Sequence, residues 1–527
     1  MPKKLNKFLP FVLIICVGFV VYANSLHNSF VWDDYWNITN NNFIRSWKNL
    51  PLIFDKTYLA SPESFVSSNS HHLGAGEISF RPVVTLSYFS DYAIWGLNPF
   101  GYHLSNLLLH IANASILYLL LAMFIQNKLI ALAAALFFLA HPVNTEAVNV
   151  INFREDLLVF FFFAASLITY LKSCVLKEKK QKIAYLFSLA MFLLALFSKE
   201  MALTLPLVIM LYDALFVCQG DFLQAWRRFK SRYLGYACVL LFYFWIWGSL
   251  MPNPDRMVFY PAEGFLKNLF TALTIVGTYI QWVFLPLGIH NIVPDNSCLV
   301  VNNFIPEVLI SLLLISCLFA LAVKKYAYAK EESFSIFWFF IVLLPVYNIL
   351  PVLNTIMGAR FLYIPVAGVC LLLALWVFKF SSIQKSVSIG LTVIILFVFS
   401  LISFGRSTVY RNNISLWQEM IKFYPRCPSA HSDLGASFES AGLKDQAISE
   451  YQAAIKLEPR YTKAYFNLGN CYYKMNLFQQ AFDEYKKGLS LVELKKNLVF
   501  LSTNLGAAFR AKGRDKEAEY FFQQAKD

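Results

Sequence analysis

The chain has 527 residues, of which 58% are hydrophobic and 17% aromatic, and its mean hydropathy is +0.52. Only 15% of the residues are charged, against about a quarter in soluble globular proteins. This composition excludes an ordinary soluble protein and predicts that most of the chain lies in lipid. The net charge of +13 is expected on cytoplasmic loops that face anionic headgroups. Nucleic-acid binding is not expected, because no basic stripe falls on a soluble module.

Apolar stretches long enough to cross a bilayer recur up to residue 404, and we count about eleven of them. The first follows Lys3, Lys4 and Lys7 without a clean cleavage site, so we expect an uncleaved signal anchor. The predicted spans are 8–22, 104–125, 130–140, 157–176, 183–197, 201–217, 233–250, 305–323, 334–350, 361–378 and 387–404.

Basic clusters between the spans predict the orientation of the chain. Those at 177–182, 227–232, 324–325 and 379–385 all fall on the cytoplasmic side, as the positive-inside rule requires, if segment 269–287 does not cross. That segment carries Gln281 and Pro286, so we expect it to lie at or dip into the outer surface. The C-terminal tail is then extracytoplasmic.

The tail carries an internal repeat. Leu434-Gly435, Leu468-Gly469 and Leu505-Gly506 occupy the same register, with glycines 34 and then 37 residues apart. This spacing matches the tetratricopeptide pattern, with a half-repeat at 416–425 as a cap. We therefore predict an all-α chain: a polytopic transmembrane domain over 1–410, with a first extracytoplasmic loop at 23–101 that holds short helices, and a tetratricopeptide α-solenoid over 411–527. Its groove is expected to bind a protein partner or acceptor.

Two adjacent acids, Asp33 and Asp34, follow the first span in the sequence Phe30-Val31-Trp32-Asp33-Asp34. A carboxylate at a membrane face can accept the proton of an acceptor hydroxyl, which is a weak nucleophile until that proton is removed. A single attack of this kind on an anomeric carbon inverts its configuration. The alternative is a solvated acid pair in a turn.

Cations at the predicted outer ends of spans are disfavoured by the positive-inside rule, so they need an explanation. Arg154, Lys199 and Arg360 are such residues, and an arginine can hold a phosphate through two parallel hydrogen bonds. The alternative is a set of structural ion pairs, of Arg154 with Glu155 or Asp156 and of Lys199 with Glu200.

Histidines in the membrane half give no metal-binding pattern. His103 and His110 are seven residues apart, which is too far for an i, i+4 zinc pair, and no CxxC motif occurs. His71, His72, His141 and Glu146 add no recognisable spacing. We predict no dedicated metal site, although carboxylates near Asp33 would suit Mg or Mn.

Seven short motifs occur in a fixed order along the membrane half. They are Phe30-Val31-Trp32-Asp33-Asp34, Arg81-Pro82-Val83-Val84-Thr85-Leu86-Ser87, Gly101-Tyr102-His103-Leu104-Ser105-Asn106, His141-Pro142-Val143-Asn144-Thr145-Glu146, Arg154-Glu155-Asp156-Leu157-Leu158, Ser198-Lys199-Glu200 and Arg360-Phe361-Leu362-Tyr363-Ile364-Pro365. In this series the chain resembles the transmembrane and tetratricopeptide-repeat O-mannosyltransferases, which are similar to the protein O-mannosyltransferases of the GT-C superfamily.

The resemblance implies a membrane enzyme that moves mannose or another hexose from a polyprenyl-phosphate carrier to a Ser or Thr hydroxyl of a protein on the extracytoplasmic face. It implies that Asp33 or Asp34 is the general base and that Arg154, with Lys199 or Arg360, holds the phosphate. Further site candidates from the motifs are Arg81, His103, His141, Glu146, Asp156 and Glu200. An acid is expected before Arg360, where this chain has Ala359.

About three repeats are fewer than eukaryotic members carry, which favours a bacterial plasma membrane, with the endoplasmic reticulum as the alternative. Two other functions compete with the enzyme. A non-enzymatic membrane scaffold would use the repeats to gather partners but would not need the acid pair. A transporter of a lipid-linked precursor would be expected to show matching halves and mid-bilayer acids, and neither is seen.

Overall fold

A computed structural model of the chain describes residues 2–54, 80–250, 264–290, 305–347, 357–380, 385–491 and 502–524, with residues 504, 508, 511 and 512 left out of the last range. The chain divides into two compact units, and the second begins at Asn412. The described residues form helices and turns without strands, which confirms the predicted all-α class.

The first unit is a bundle of fourteen α-helices among the described residues. They are α1 (Pro2–Tyr22), α2 (Pro82–Trp95), α3 (Pro99–Leu121), α4 (Lys128–Ala140), α5 (Thr145–Asn149), α6 (Arg154–Val175), α7 (Glu178–Leu196), α8 (Leu205–Tyr212), α9 (Phe222–Leu250), α10 (Phe265–Phe284), α11 (Pro306–Lys325), α12 (Lys330–Leu343), α13 (Pro365–Phe380) and α14 (Lys385–Ser407). Helices α3, α4, α6 and α13 supply much of the buried apolar core.

Seven stretches of the described chain are long and apolar enough to cross a membrane, and the bent pair of α4 with the segment Pro142–Asn149 would make an eighth. The chain is therefore a multi-pass membrane protein. The predicted total of about eleven crossings, and with it the side of the C-terminal tail, stays a prediction. Helix α10 covers the segment expected at the outer surface. It packs on α11 and α13, and its crossing also remains untested.

The segment predicted to be the first outer loop contains several short helical turns in its described parts. They comprise 3-10 turns at Ala23–His27, Phe43–Arg45 and Trp47–Phe54 and a π-helical turn at Tyr35–Thr39, followed by α2. This confirms the expected short helices in the described parts of the loop. Aromatic contacts fix the loop to α2, since the Phe43 ring lies 5.6 Å from the Phe89 ring and the Trp47 ring 5.4 Å from it.

The second unit is a series of helical hairpins. Its described helices are α15 (Asn413–Phe423), α16 (Pro428–Ser440), α17 (Lys444–Leu457), α18 (Thr462–Lys474), α19 (Phe478–Ser490) and α20 (Asp515–Gln524). The repeated glycines allow each hairpin to close. A Cβ on Gly435 would lie 2.7 Å from the Tyr451 ring, and one on Gly469 would lie 2.5 Å from the Tyr485 ring. The repeat is therefore a packing repeat, in which a small residue on one helix admits an aromatic ring from the next.

Candidate functional site

The two candidate acids lie on a tight turn with different surroundings. Trp32, just before them, has a left-handed backbone (φ 51°), which is costly for a side chain of this size. Its ring packs edge-on against Phe153, with centroids 5.8 Å apart. The turn leaves the Asp33 side chain partly exposed, whereas the Asp34 side chain is fully buried. Of the two, Asp33 is the one that a substrate could reach.

The Asp34 carboxylate ties the first loop to the turn that precedes α6. Its Oδ2 accepts the Val31 N–H at 3.0 Å, and its Oδ1 accepts the Asn152 N–H at 2.7 Å. The side chains of Asn37 and Asn152 reinforce the same junction, with a hydrogen bond of 2.6 Å. Burial raises the pKa of Asp34 to about 7, against these N–H donors, and the nearby Asp33 contributes to the rise. Asp34 is therefore a positioning residue in this geometry.

This buried carboxyl predicts a pH-dependent difference between the wild type and Asp34→Asn. A folded pKa near 7 lies above the usual value of 3.8, so the folded chain binds the proton more tightly. Stability from this group is then fully present below about pH 4 and is lost as the pH rises through 7. Asparagine cannot ionise, although it accepts only one of the two N–H groups. We expect the melting temperature of the variant to lie furthest below that of the wild type at pH 5 and to approach it at pH 8. Thermal unfolding in detergent at both pH values measures this, and a constant difference would contradict it.

Arg154, at the start of α6, is enclosed by polar partners. Its guanidinium pairs with Asp91 at 2.6 Å, and it donates to Asn106 Oδ1 at 2.6 Å and to the Tyr102 carbonyl at 3.1 Å. A weaker bond of 3.3 Å reaches Ser87 Oγ. The residue is 2% exposed. The expected ion pair with Glu155 or Asp156 is wrong, since the partner is Asp91 on α2. These bonds favour a role in holding α2, α3 and α6 together, and the predicted phosphate role stays a prediction.

A ladder of buried charges continues from α6 to the turn that follows α7. Lys199 Nζ lies 2.7 Å from both oxygens of Asp156 and 2.9 Å from Glu155 Oε1. Arg81 pairs with the other oxygen of Glu155 and lies 3.1 Å from Glu200. The expected pair of Lys199 with Glu200 is therefore wrong. Adjacent side chains point apart, and the longer-range partners capture the ammonium instead.

The ladder contains two cations and three carboxylates, and burial shifts the pKa of its lysine. Burial lowers the pKa of Lys199 to about 8, Asp156 opposes this change, and the nearby Arg360 and Arg81 add to it. The Lys199 ammonium also lies 5.2 Å from the centre of the Phe361 ring. Three of the predicted site cations, Arg81, Lys199 and Arg360, therefore act on one another across a single cluster.

Arg360 pairs with Glu146 on α5, whereas the sequence led us to expect an acid at the preceding position, which is Ala359 in this chain. The backbone N–H of Arg360 donates to Glu146 Oε2 at 2.9 Å, and Nη1 lies 3.3 Å from Glu146 Oε1. Glu146, on α5, thus supplies the carboxylate that Ala359 cannot. The guanidinium stacks 4.0 Å from the centre of the Phe153 ring, and its buried Nε has no hydrogen-bond partner among the described residues. Arg360 therefore has one N–H that the described part of the site does not use, and its predicted phosphate role stays a prediction.

Phe153 connects the acid pair to Arg360. One face of the site is formed by Trp32, which contacts the Phe153 ring beside Asp33, and the other by the Arg360 guanidinium on the same ring. The turn that carries the acids and the Arg360 guanidinium thus meet at one aromatic side chain, although Asp33 and Arg360 are 327 positions apart. That places a potential proton acceptor and a potential phosphate ligand in the same region.

The predicted histidines serve the fold. His141 Nε2 lies 3.0 Å from the Val283 carbonyl, and its Nδ1 accepts the Val143 N–H at 3.3 Å, so the ring caps the turn before α5. His103 is buried at 1% exposure on α3. His71 and His72 lie outside the described residues. Within the described ranges no group of three His, Cys, Asp or Glu is placed to hold a metal ion, and the compatibility of Asp33 with Mg or Mn stays a prediction.

Four residues of the site were not predicted from the sequence. Asp91 pairs with Arg154, and Asn152 and Phe153 hold the acid pair and Arg360. Tyr279 on α10 accepts the Gly358 N–H at 3.0 Å, which supports the turn that carries Arg360. Asp91 gave a usable signal, because a lone acid in an apolar helix of a membrane protein needs a buried partner. The other three gave none.

Comparison with known proteins supports the sequence resemblance. The chain is 27% identical over 452 residues to "Protein O-mannosyl-transferase F38B6.6" of Caenorhabditis elegans, a match covering 83% of this chain and 61% of that protein. It is 32% identical over 216 residues to "Protein O-mannosyl-transferase TMTC3" of Mus musculus, covering 40% and 22%. These matches confirm the predicted resemblance to this family. The chain spans less than two thirds of the length of these relatives.

Two further comparisons concern the fold. A family model described as TPR repeat matches residues 444–476, which confirms the predicted tetratricopeptide repeat. A solved structure, "Crystal Structure of ArnT from Cupriavidus metallidurans bound to Undecaprenyl phosphate", aligns over 90% of this chain and 79% of that chain, at 13% identity and a TM-score of 0.40. A likeness at that level says nothing about function.

Proposed function

We propose that this chain is a GT-C-type membrane glycosyltransferase. It transfers mannose or a related hexose from a polyprenyl-phosphate carrier to a Ser or Thr hydroxyl of a protein on the extracytoplasmic face. The observation that supports the proposal is the arrangement around Phe153, whose ring contacts both Trp32, the neighbour of the partly exposed Asp33, and the guanidinium of Arg360. The similarity to O-mannosyltransferases over 452 residues supports the same chemistry.

In this proposal Asp33 is the general base and Asp34 holds it in place. Asp33 accepts the proton of the acceptor hydroxyl as the acceptor oxygen bonds to the anomeric carbon. The bond between that carbon and the phosphate oxygen breaks, its electron pair stays on the polyprenyl phosphate, and the configuration is inverted. Arg360 is the best-placed phosphate ligand, because its Nε has no partner among the described residues and a guanidinium suits paired phosphate oxygens. Arg81 and Lys199 are paired with the acids of the ladder, so they hold the helices beside Arg360, and Lys199 is the second candidate for the phosphate.

The repeat unit has a role in the same proposal. The repeat unit does not contain the acid pair, so we do not assign catalysis to it. Its stacked helices present an extended surface that suits a peptide segment. We assign it the recruitment of the protein acceptor. The partner binding that the scaffold alternative assigns to the repeats is then part of the same proposal, because the repeats bind and the membrane unit transfers the sugar.

Mass analysis of extracytoplasmic proteins, with and without this chain, tests the proposed function. We expect peptides carrying hexose on Ser or Thr in the producing strain and their absence after deletion, with restoration by the wild-type chain. The purified protein should also transfer mannose from polyprenyl-phosphate mannose to such a peptide. Unchanged glycopeptides after deletion, together with no transfer in vitro, would refute the proposal.

A further inference from the structure

Two clusters of exposed cations lie at the beginnings of α7 and α9, away from the acid pair. Their members all have well-exposed side chains, and within the part of the chain that the structure describes none of them forms a salt bridge. They are Lys172, Lys177, Lys179, Lys180 and Lys182 at the α6–α7 turn and Arg227, Arg228 and Lys230 on α9. The exposed acids within these two segments are Glu178 and Asp221. The patch is therefore strongly positive.

The packing of α7 on α9 makes these clusters one surface. Tyr185 Oη donates to the Arg232 carbonyl at 2.7 Å, and a Cβ on Gly235 would lie 2.0 Å from that same hydroxyl oxygen. Further along, the Phe192 and Tyr236 rings lie 5.2 Å apart. The Arg232 side chain turns inward and donates to Cys174 Sγ at 2.8 Å, near the end of α6. The backbones are thus held close at the level of the cations.

The exposed cations do not stabilise the helix on which they lie. Lys179 and Lys180 occupy the first turn of α7, where the helix dipole disfavours positive charge. Glu178, the first residue of α7, has a positive φ of 49°. An energetically unfavourable cluster of this kind calls for a negative partner outside the chain.

The length of α9 places the patch at the headgroup layer. Its 29 residues span about 43 Å, whereas the hydrocarbon core of a bilayer is about 30 Å thick. No charged residue occurs from Tyr233 to Leu250, so the surplus of about nine residues lies at the N-terminal end. That end carries the three cations together with exposed Phe222, Leu223 and Trp226. Basic residues beside exposed aromatic and aliphatic side chains are typical of an interfacial segment.

Helix α7 changes character at the same level. Directly after Lys182 come the lipid-type surface residues Ile183, Leu186 and Phe187, which are 56%, 63% and 52% exposed. The boundary between cations and exposed apolar side chains therefore falls at one depth on both helices. A ligand that fits this boundary has an anionic head and an apolar tail.

We propose that the N-terminal turns of α7 and α9 form a binding site for the headgroup of an anionic phospholipid in the leaflet that this face contacts. The cations at 179–182 and 227–230 hold the phosphate and the net negative charge. The exposed side chains of Ile183, Leu186 and Phe187, which follow the cations on α7, contact the acyl region, and Phe222, Leu223 and Trp226 lie in the headgroup layer. This site lies on the face that the sequence predicts to be cytoplasmic, and it is independent of the proposed glycosyl transfer.

The test measures lipid selectivity in the full-length protein reconstituted in phosphatidylcholine. Spin-labelled phosphatidylglycerol and spin-labelled phosphatidylcholine report the relative association constant of each lipid with the protein surface. We expect a preference of about three- to fivefold for phosphatidylglycerol in the wild type. The variants Arg227→Gln/Arg228→Gln/Lys230→Gln and Lys179→Gln/Lys180→Gln/Lys182→Gln should each lose most of it, whereas Arg227→Lys/Arg228→Lys should retain it. Because all these side chains are exposed, melting temperatures should stay within a few degrees.

The matched control removes three exposed lysines that are dispersed over the same unit, in Lys7→Gln/Lys128→Gln/Lys324→Gln. If the control loses as much selectivity as the clustered variants, the preference depends on the total charge of the protein and not on the clusters, and the proposal is overturned. The absence of a preference for phosphatidylglycerol in the wild type would overturn it as well. Added inorganic phosphate should reduce the preference no more than chloride at equal ionic strength. A larger effect of phosphate would assign the cluster to a free anion and would equally refute a lipid site.

Discussion

Asp33→Asn is expected to lower the rate of sugar transfer about 10²- to 10⁴-fold while the protein stays folded. The physical reason is that asparagine cannot accept the proton of the acceptor hydroxyl, although it has nearly the same size. The Asp33 side chain is partly exposed, so the substitution leaves no buried charge uncompensated. Initial rates with polyprenyl-phosphate mannose and a Ser/Thr peptide measure the loss, and thermal unfolding in detergent checks the fold.

Two comparison variants separate the base from its support. Asp34→Asn should reduce both the rate and the melting temperature, because this buried carboxylate accepts the N–H groups of Val31 and Asn152. Asp221→Asn removes an exposed acid far along the chain from the site and should change neither. A full rate in Asp33→Asn would rule out the assigned base. A folded Asp34→Asn that alone loses activity would exchange the roles of the two acids.

The order and type of the elements could be predicted because lipid imposes a simple rule on sequence. Apolar runs locate the helices, and the glycine spacing locates the repeats. The helix limits were less accurate. Helix α9 was expected to span 233–250, but it begins at Phe222, since a helix continues into the headgroup layer where charged residues are tolerated. Hydropathy thus marks the part of a helix in hydrocarbon rather than the whole helix.

The candidate site could be predicted by residue type but not by pairing. The alternative drawn from sequence proximity paired Lys199 with Glu200 and Arg154 with Glu155 or Asp156, yet side chains one or two positions apart on a helix do not face each other. The observed partners come from other helices, and Arg360 is 214 positions away from Glu146. Only the packing of α5 against the turn at Ala359–Leu362 brings them together. No local pattern in the sequence encodes that contact.

Lys199→Met is expected to destabilise the membrane unit by about 3–5 kcal/mol, the cost of leaving a buried ion pair without one partner. The ammonium is 4% exposed and neutralises Asp156, which is fully buried, as well as Glu155. Glu155 keeps Arg81 in the variant, but Asp156 loses the only salt bridge that it makes among the described residues. The measurement is the melting temperature in detergent, with Lys324→Met, an exposed lysine, as the control that should not change.

A double variant shows whether Lys199 contributes only to stability or also to sugar transfer. Lys199→Met/Asp156→Asn removes both charges, so the melting temperature should recover more than half of the loss, as coupled partners do in a double-mutant cycle. If Lys199 only neutralises the ladder, transfer should recover with stability. If its ammonium also holds the donor phosphate, transfer should stay low in a protein that is again stable. A double variant no more stable than Lys199→Met would show that the 2.7 Å contact with Asp156 is not what the lysine contributes.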